Sequence, residues 1–150
     1  MPPMDSAKFW QMIELIDREA LHQGDDRGSV EPLRQALAAC EPEAICRFAD
    51  RLAQVLYDLD GLEYSDASGA NALSAEGFLY ARCYVVALGR NHYEAVRSDP
   101  TLMPQSLEQW CEPLLYVAGE AWENAVGANE PWTYHAPVNY QTGSNRAQWE

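Results

Sequence analysis

Residues 74–89 read Ser74-Ala75-Glu76-Gly77-Phe78-Leu79-Tyr80-Ala81-Arg82-Cys83-Tyr84-Val85-Val86-Ala87-Leu88-Gly89. Phe78, Leu79, Ala81, Cys83, Val85, Val86 and Leu88 make this stretch apolar nearly all the way round. Ser74 can cap a helix at its start, and Gly89 is a natural stop. A helix that is apolar on every side belongs at the centre of its fold. The rest of the chain is therefore expected to be built around this one.

The strongest amphipathic pattern lies just before it. Pro42 suits the first helical turn, where a missing N–H costs little. Ile45, Phe48, Leu52, Val55, Leu56 and Leu59 then share one face, with Arg47, Asp50, Arg51 and Asp58 on other sides. Asp60-Gly61 and Ser65-Asp66-Ala67-Ser68-Gly69 punctuate residues 60–73, which fit a distorted helix or a structured loop. Further upstream, Phe9, Ile13, Ile16 and Ala20 recur at helical spacing and predict a first helix over residues 6–22. Residues 24–28 read as a loop. Ser29 can cap a short second helix with Pro32 in its first turn and Leu33, Ala36 and Leu37 inward.

Downstream, Asn91 can cap a short helix from His92 to Arg97, which Asp99-Pro100 ends. Ser106-Leu107-Glu108-Gln109 matches a reciprocal capping pattern. Trp110, Leu114, Val117, Ala118, Ala121 and Ala125 follow it, which predicts a last long helix from Ser106 to Gly127. On such a helix Trp110 and Trp122 lie about 120° apart, so they cannot share one stripe. Trp122, Tyr116 and Trp132 then make an exposed or tail-covered aromatic patch. Residues 130–140 hold two prolines and three aromatics without a helical period. They are expected to lie extended against the bundle through Trp132 and Tyr134, with residues 141–150 lacking order. The expectation is an all-α, single-domain bundle of about five to six helices over 1–127, with an extended C-terminal tail over 128–150.

With 150 residues, 47% apolar and 22% charged, the chain can bury a core without metal or disulfide. Asp plus Glu is 23 against 10 Lys plus Arg, a net charge of −13. That balance disfavours phosphate backbones and anionic membranes, and it steers basic proteins inward. Residues 106–150 carry six acids and one base, Arg146. Cys40, Cys46, Cys83 and Cys111 form no C-x-x-C pair and sit in apolar patterns, as buried free thiols of a cytoplasmic protein do. Residues 1–5 lack the start of a signal peptide, and no apolar run reaches the length of a membrane span.

The sequence contains no phosphate-binding glycine loop, no H-E-x-x-H and no nucleophile elbow. No cofactor, metal or catalytic residue is therefore assigned. His22, His92 and His135 read as surface or structural. Arg82, inside the central helix, must be paired or reach water. It fits either an ion pair with a carboxylate of another helix or an anion-binding guanidinium in a cleft.

The segments Phe9-Trp10-x-x-Ile13, Ala75 to Arg82, Ala87-Leu88-Gly89-Arg90-Asn91-His92-Tyr93-Glu94-Ala95-Val96, Asp99-Pro100, Glu112-Pro113-Leu114-Leu115-Tyr116-Val117-Ala118 and Ala121-Trp122 resemble, in order and spacing, a bacterial family of unknown function, DUF4240. The resemblance spans about residues 5–126 and implies an all-helical fold and a bacterial source. The family's Trp and paired Asp before the fourth helix are replaced here by Leu62-Glu63-Tyr64 and Ser74-Ala75-Glu76-Gly77, so Glu76 alone reproduces that acidic site. The resemblance supplies no activity.

These features lead to a non-catalytic acidic module for a basic protein partner, of the kind exemplified by an immunity protein that neutralises a bacterial toxin. Its candidate contacts are Glu112, Glu120, Trp122, Glu123, Glu130 and Trp132. The alternatives are an enzyme or small-ligand binder with a cleft near the fourth helix, lined by Glu76, Arg82, Arg90, His92 and Tyr93, and a self-associating structural domain.

Overall fold

The computed structural model describes residues 2–127 and 129–150. The first residue of the expected tail, Ala128, lies outside these. Among the described residues the secondary structure is helical throughout. The helices are α1 (Ser6–Ile13), α2 (Arg18–His22), α3 (Asp26–Ser29), α4 (Glu31–Ala38), α5 (Pro42–Asp58), α6 (Leu62–Asp66), α7 (Ala75–Ala87), α8 (Arg90–Ser98), α9 (Val117–Val126) and α10 (Arg146–Trp149). Short 3₁₀ turns cover Gly69–Leu73, Pro100–Leu102 and Glu112–Tyr116.

The all-α class holds, but with more and shorter helices than five or six. The expected first helix breaks after Ile13. Asp17 there turns its main-chain N–H to the Ser29 carbonyl, 2.8 Å away, and its side chain caps α2. The loop at 24–28 contains α3, capped by Asp25. Ser29 ends α3 instead of capping α4, and its hydroxyl donates to the Asp26 carbonyl.

The expected long helix from Ser106 is the largest correction. The reciprocal cap does form, with Glu108 N–H donating to Ser106 Oγ at 3.2 Å and Ser106 N–H to Gln109 Oε1 at 3.3 Å. No helix follows it. Pro113 has no N–H to give, and its ring crowds the carbonyl four residues back. The chain re-enters through the 3₁₀ turn Glu112–Tyr116 and becomes α-helical only at Val117. Trp110 and Trp122 thus belong to different segments. Trp110 donates to Asn71 Oδ1 at 2.6 Å and packs on Tyr80.

Helix α7 is central, as its composition requires: from Gly77 to Ala87 every side chain but Tyr80 is buried. Helix α5 packs against α7 and buries Ile45, Phe48, Leu52, Val55 and Leu56, and α9 packs across α4 and α5. The last carbonyls of a helix lack partners within it. In α5 each is met by a side chain from elsewhere: Val55 by the Tyr93 hydroxyl (2.7 Å), Leu56 by Arg82 (2.9 Å), Tyr57 by Asn145 (3.0 Å) and Asp58 by Gln148 (3.1 Å).

Two of those partners come from the tail. From residue 132 to 144 the even-numbered side chains are half-buried and the odd-numbered ones exposed, the period of an extended strand laid on a surface. Residues 141–150 then return to the bundle. Asp60, fully buried, accepts N–H groups of Gly143 (3.0 Å) and Asn145 (2.9 Å) and the Trp149 indole (2.8 Å). That docking and α10 replace the disorder expected there.

Candidate functional site

The 3₁₀ turn forced by Pro113 delivers Tyr116 to the surface at the start of α9, where it is 47% exposed. Its hydroxyl donates to Glu112 Oε2 at 2.6 Å, one turn back. That hydrogen bond to a carboxylate, reinforced by partial burial, pushes the phenol up to about 12. One turn into α9 stands Gly119. A Cβ at this position would come within 2.9 Å of Trp132 Cδ1, so only glycine lets the Trp132 ring lie flat on the helix. Trp132 meets Trp122 edge-on, with centroids 5.6 Å apart, and the tilted Tyr134 ring at the same distance.

Hydrogen bonds fix this row of rings. The Trp122 indole donates to the Glu130 carbonyl at 3.2 Å, and the Trp132 main-chain N–H to Glu123 Oε2 at 3.4 Å. The Tyr134 hydroxyl donates to Asp50 Oδ1 at 2.6 Å, and Asp50 is paired with Arg47 at 3.1 Å. Across the groove from α9, Arg27 reaches Glu120 at 3.2 Å, while Arg34 holds Glu31 and Asn124. Of the six candidate contacts, Glu120, Glu123 and Trp132 line one opening on α9; Trp122 meets the Trp132 ring, Glu112 joins through Tyr116, and Glu130 takes part through its main-chain carbonyl. Sequence reasoning did not include Arg27, Glu31, Arg34 or Gly119. The Trp132-x-Tyr134-x-Ala136-x-Val138-x-Tyr140 alternation was the available sign that the tail would lie extended with one side on the bundle.

The five candidates near the fourth helix are not gathered. Glu76 is exposed in the first turn of α7, and Arg90 is exposed at the start of α8. His92 is half-buried, and burial lowers its pKa. Tyr93 lies in the core against Trp10 and bonds Val55. Arg82 is completely buried, and no carboxylate bonds it among the described residues. Instead of a carboxylate it meets the carbonyls of Leu56 (2.9 Å) and Tyr140 (3.0 Å) and the Thr142 hydroxyl (3.1 Å), over the Phe78 ring. The physical reason is the end of α5, whose carbonyls carry partial negative charge and favour a cation. Burial lowers the Arg82 pKa, and the charge of nearby Asp60 opposes that shift.

A cleft of about 360 Å³ runs beneath the tail, between Leu52, Ala118, Trp132, Val138 and Tyr140; none of the five lines it. Cys46, Cys83 and Cys111 are buried free thiols, and burial raises the pKa of each, Cys111 to about 12. They are poor nucleophiles. Among the described residues no helix is long and apolar enough to cross a membrane, and no group of three or more His, Cys, Asp or Glu is placed to hold a metal ion.

The model of a family described as "Protein of unknown function (DUF4240)" matches residues 4–124. A comparison with curated proteins gave no match, and neither did one with solved structures.

Proposed function

The chain belongs to the DUF4240 family, and from that premise we propose that it is a non-catalytic acidic module that captures a basic protein partner. Membership brings no activity with it, so the reading rests on this chain's own surface. One observation carries it: Glu120 and Glu123 line one opening with Tyr116 and Trp132, beside the edge-on Trp122 and with Glu112 bonded to the Tyr116 hydroxyl. Large aromatics with a polar rim are the usual composition of protein-recognition sites. The charge of −13 accelerates encounter with a cationic partner. Arg82 and Tyr93, which an enzyme cleft would need, are spent on closing the end of α5. Buried free thiols suit the cytoplasm. The specific form we favour is an immunity protein that neutralises a bacterial toxin in that compartment.

The test is capture from cytosolic extract at low ionic strength on the immobilised protein. One basic protein should be retained in stoichiometric amount, released by salt, and lost when Glu120, Glu123 and Glu130 are changed together to Gln. A partner retained equally by that triple variant, with the same salt dependence, would refute the reading.

A further inference from the structure

On α9 lies an opening of about 230 Å³ whose chemistry is narrower than its charge. It is bounded by Leu115, Tyr116, Gly119, Glu120, Glu123 and Trp132. Two aromatic side chains, two carboxylates and a glycine surround it, and no base does. We propose that this pocket receives a guanidinium, an arginine side chain of the basic partner, lodged between Tyr116 and Trp132 and neutralised by Glu120 and Glu123. The inference rests on the reading above and specifies its partner chemistry.

The chemistry of arginine fits each wall. Its guanidinium is planar and weakly hydrated, so it stacks on aromatic rings, and its five donors match carboxylate oxygens. A lysine ammonium is a compact, strongly hydrated charge that gains less from a ring. The pocket is also pre-formed, which reduces the cost of ordering on binding. The bond to Glu112 holds the Tyr116 ring, the bond from the Trp132 N–H holds the Glu123 carboxylate, and Gly119 leaves room for the Trp132 ring. Each pocket carboxylate has an oxygen to spare. Glu120 uses Oε2 for Arg27, Glu123 uses Oε2 for Trp132, and among the described residues Oε1 of both has no hydrogen-bond partner. Arg27, with a side chain 75% exposed, shows that Glu120 accepts a guanidinium from the neighbouring groove. An exposed pair of that kind is weak and does not exhaust Glu120.

The experiment is an NMR titration of the isotope-labelled full chain with N-acetyl-arginine amide. N-acetyl-citrulline amide serves as the neutral probe of the same shape, and N-acetyl-lysine amide as the other cation. The Trp132 indole N–H should shift saturably with arginine, weakly with lysine and not with citrulline. The Trp110 indole, bound to Asn71, should stay still. Glu120→Gln with Glu123→Gln should abolish the response. Tyr116→Ala should weaken it about two- to fivefold, the size of one exposed cation–π contact. Equal shifts with citrulline, tighter binding of lysine, or a response unchanged in both variants would overturn the assignment. The probe needs no partner protein, so the two readings fail separately. Saturable arginine binding beside an empty capture experiment supports the pocket and sinks the protein-binding reading. A captured, salt-sensitive partner beside no arginine response overturns the pocket alone.

Discussion

At Arg82 a guanidinium is taken wholly out of water, which costs several kcal/mol unless its donors are met. Two carbonyls, one hydroxyl and the Phe78 ring meet most of that demand, and Nε alone is left buried without a partner. Arg82→Met should therefore destabilise the fold by about 3 kcal/mol, because the Leu56 carbonyl, the Tyr140 carbonyl and Thr142 all lose their donor. Chemical denaturation measures the loss, and limited proteolysis should show the chain cut first after residue 130. The sequence revealed that Arg82 needed a partner, since a charge in an apolar helix always does. It could not reveal the partner, because carbonyls are present in every residue and only the closed fold selects which are in reach. A second residue-level test concerns Tyr116. Its raised pKa depends chiefly on the bond to Glu112, so Glu112→Gln should bring the phenol down from about 12 towards the ordinary value of 10. A pH titration of labelled tyrosine ring carbons reads this directly.

At the level of elements, residues 106–126 and 130–144 show what local signals can and cannot decide. The capping pattern at Ser106 is real and forms its bonds, yet it caps a turn that goes nowhere. Pro113 was the legible veto, seven residues on, and it outweighs an apolar period that continues on both sides of it. The tail is legible by a different rule. Its alternate residues point inward although no strand pairs with it among the described residues, so the period arises from burial and not from a sheet. Which surface it covers was beyond sequence, because that depends on Gly119 offering a flat place for Trp132. Gly119→Ala tests this coupling. Helix propensity favours the change by about 1 kcal/mol, and overpacking against a ring opposes it by about 1–3 kcal/mol. The expected result is a small net loss of stability with a red-shifted tryptophan emission as Trp132 lifts from α9. A variant more stable than the parent with unchanged emission would contradict the arrangement.

For the molecule as a whole, the core and its all-helical class were readable from apolar periods alone, because burial of Phe9, Ile13, Leu37, Phe48, Leu56 and Val85 needs only the right spacing. The contribution of the tail was not, although composition marked it as different. Removing residues 129–150 would leave Arg82 and Asp60 buried without most of their partners, which should cost about 3–5 kcal/mol and lower Tm accordingly. An unchanged Tm would show that the helices alone form the stable unit. Acid should weaken the fold in part through His92. Burial lowers its pKa below 6.5, so under that pH the unfolded chain binds more protons than the folded one. Stability then declines as pH falls from 6.5 towards the folded-state value and His92 contributes no further slope below it. His92→Gln should flatten that part of the curve in denaturation experiments run across mildly acidic pH. The wide sequence separations of the tail contacts carry one more consequence, for synthesis. Arg82 waits for partners 58 and 60 residues downstream, and Asp60 for partners 83 to 89 residues downstream. On the ribosome the helices of the amino-terminal two thirds emerge first and stay open at one end. Folding must therefore finish late, and a nascent chain stalled before residue 140 is a natural client for chaperones.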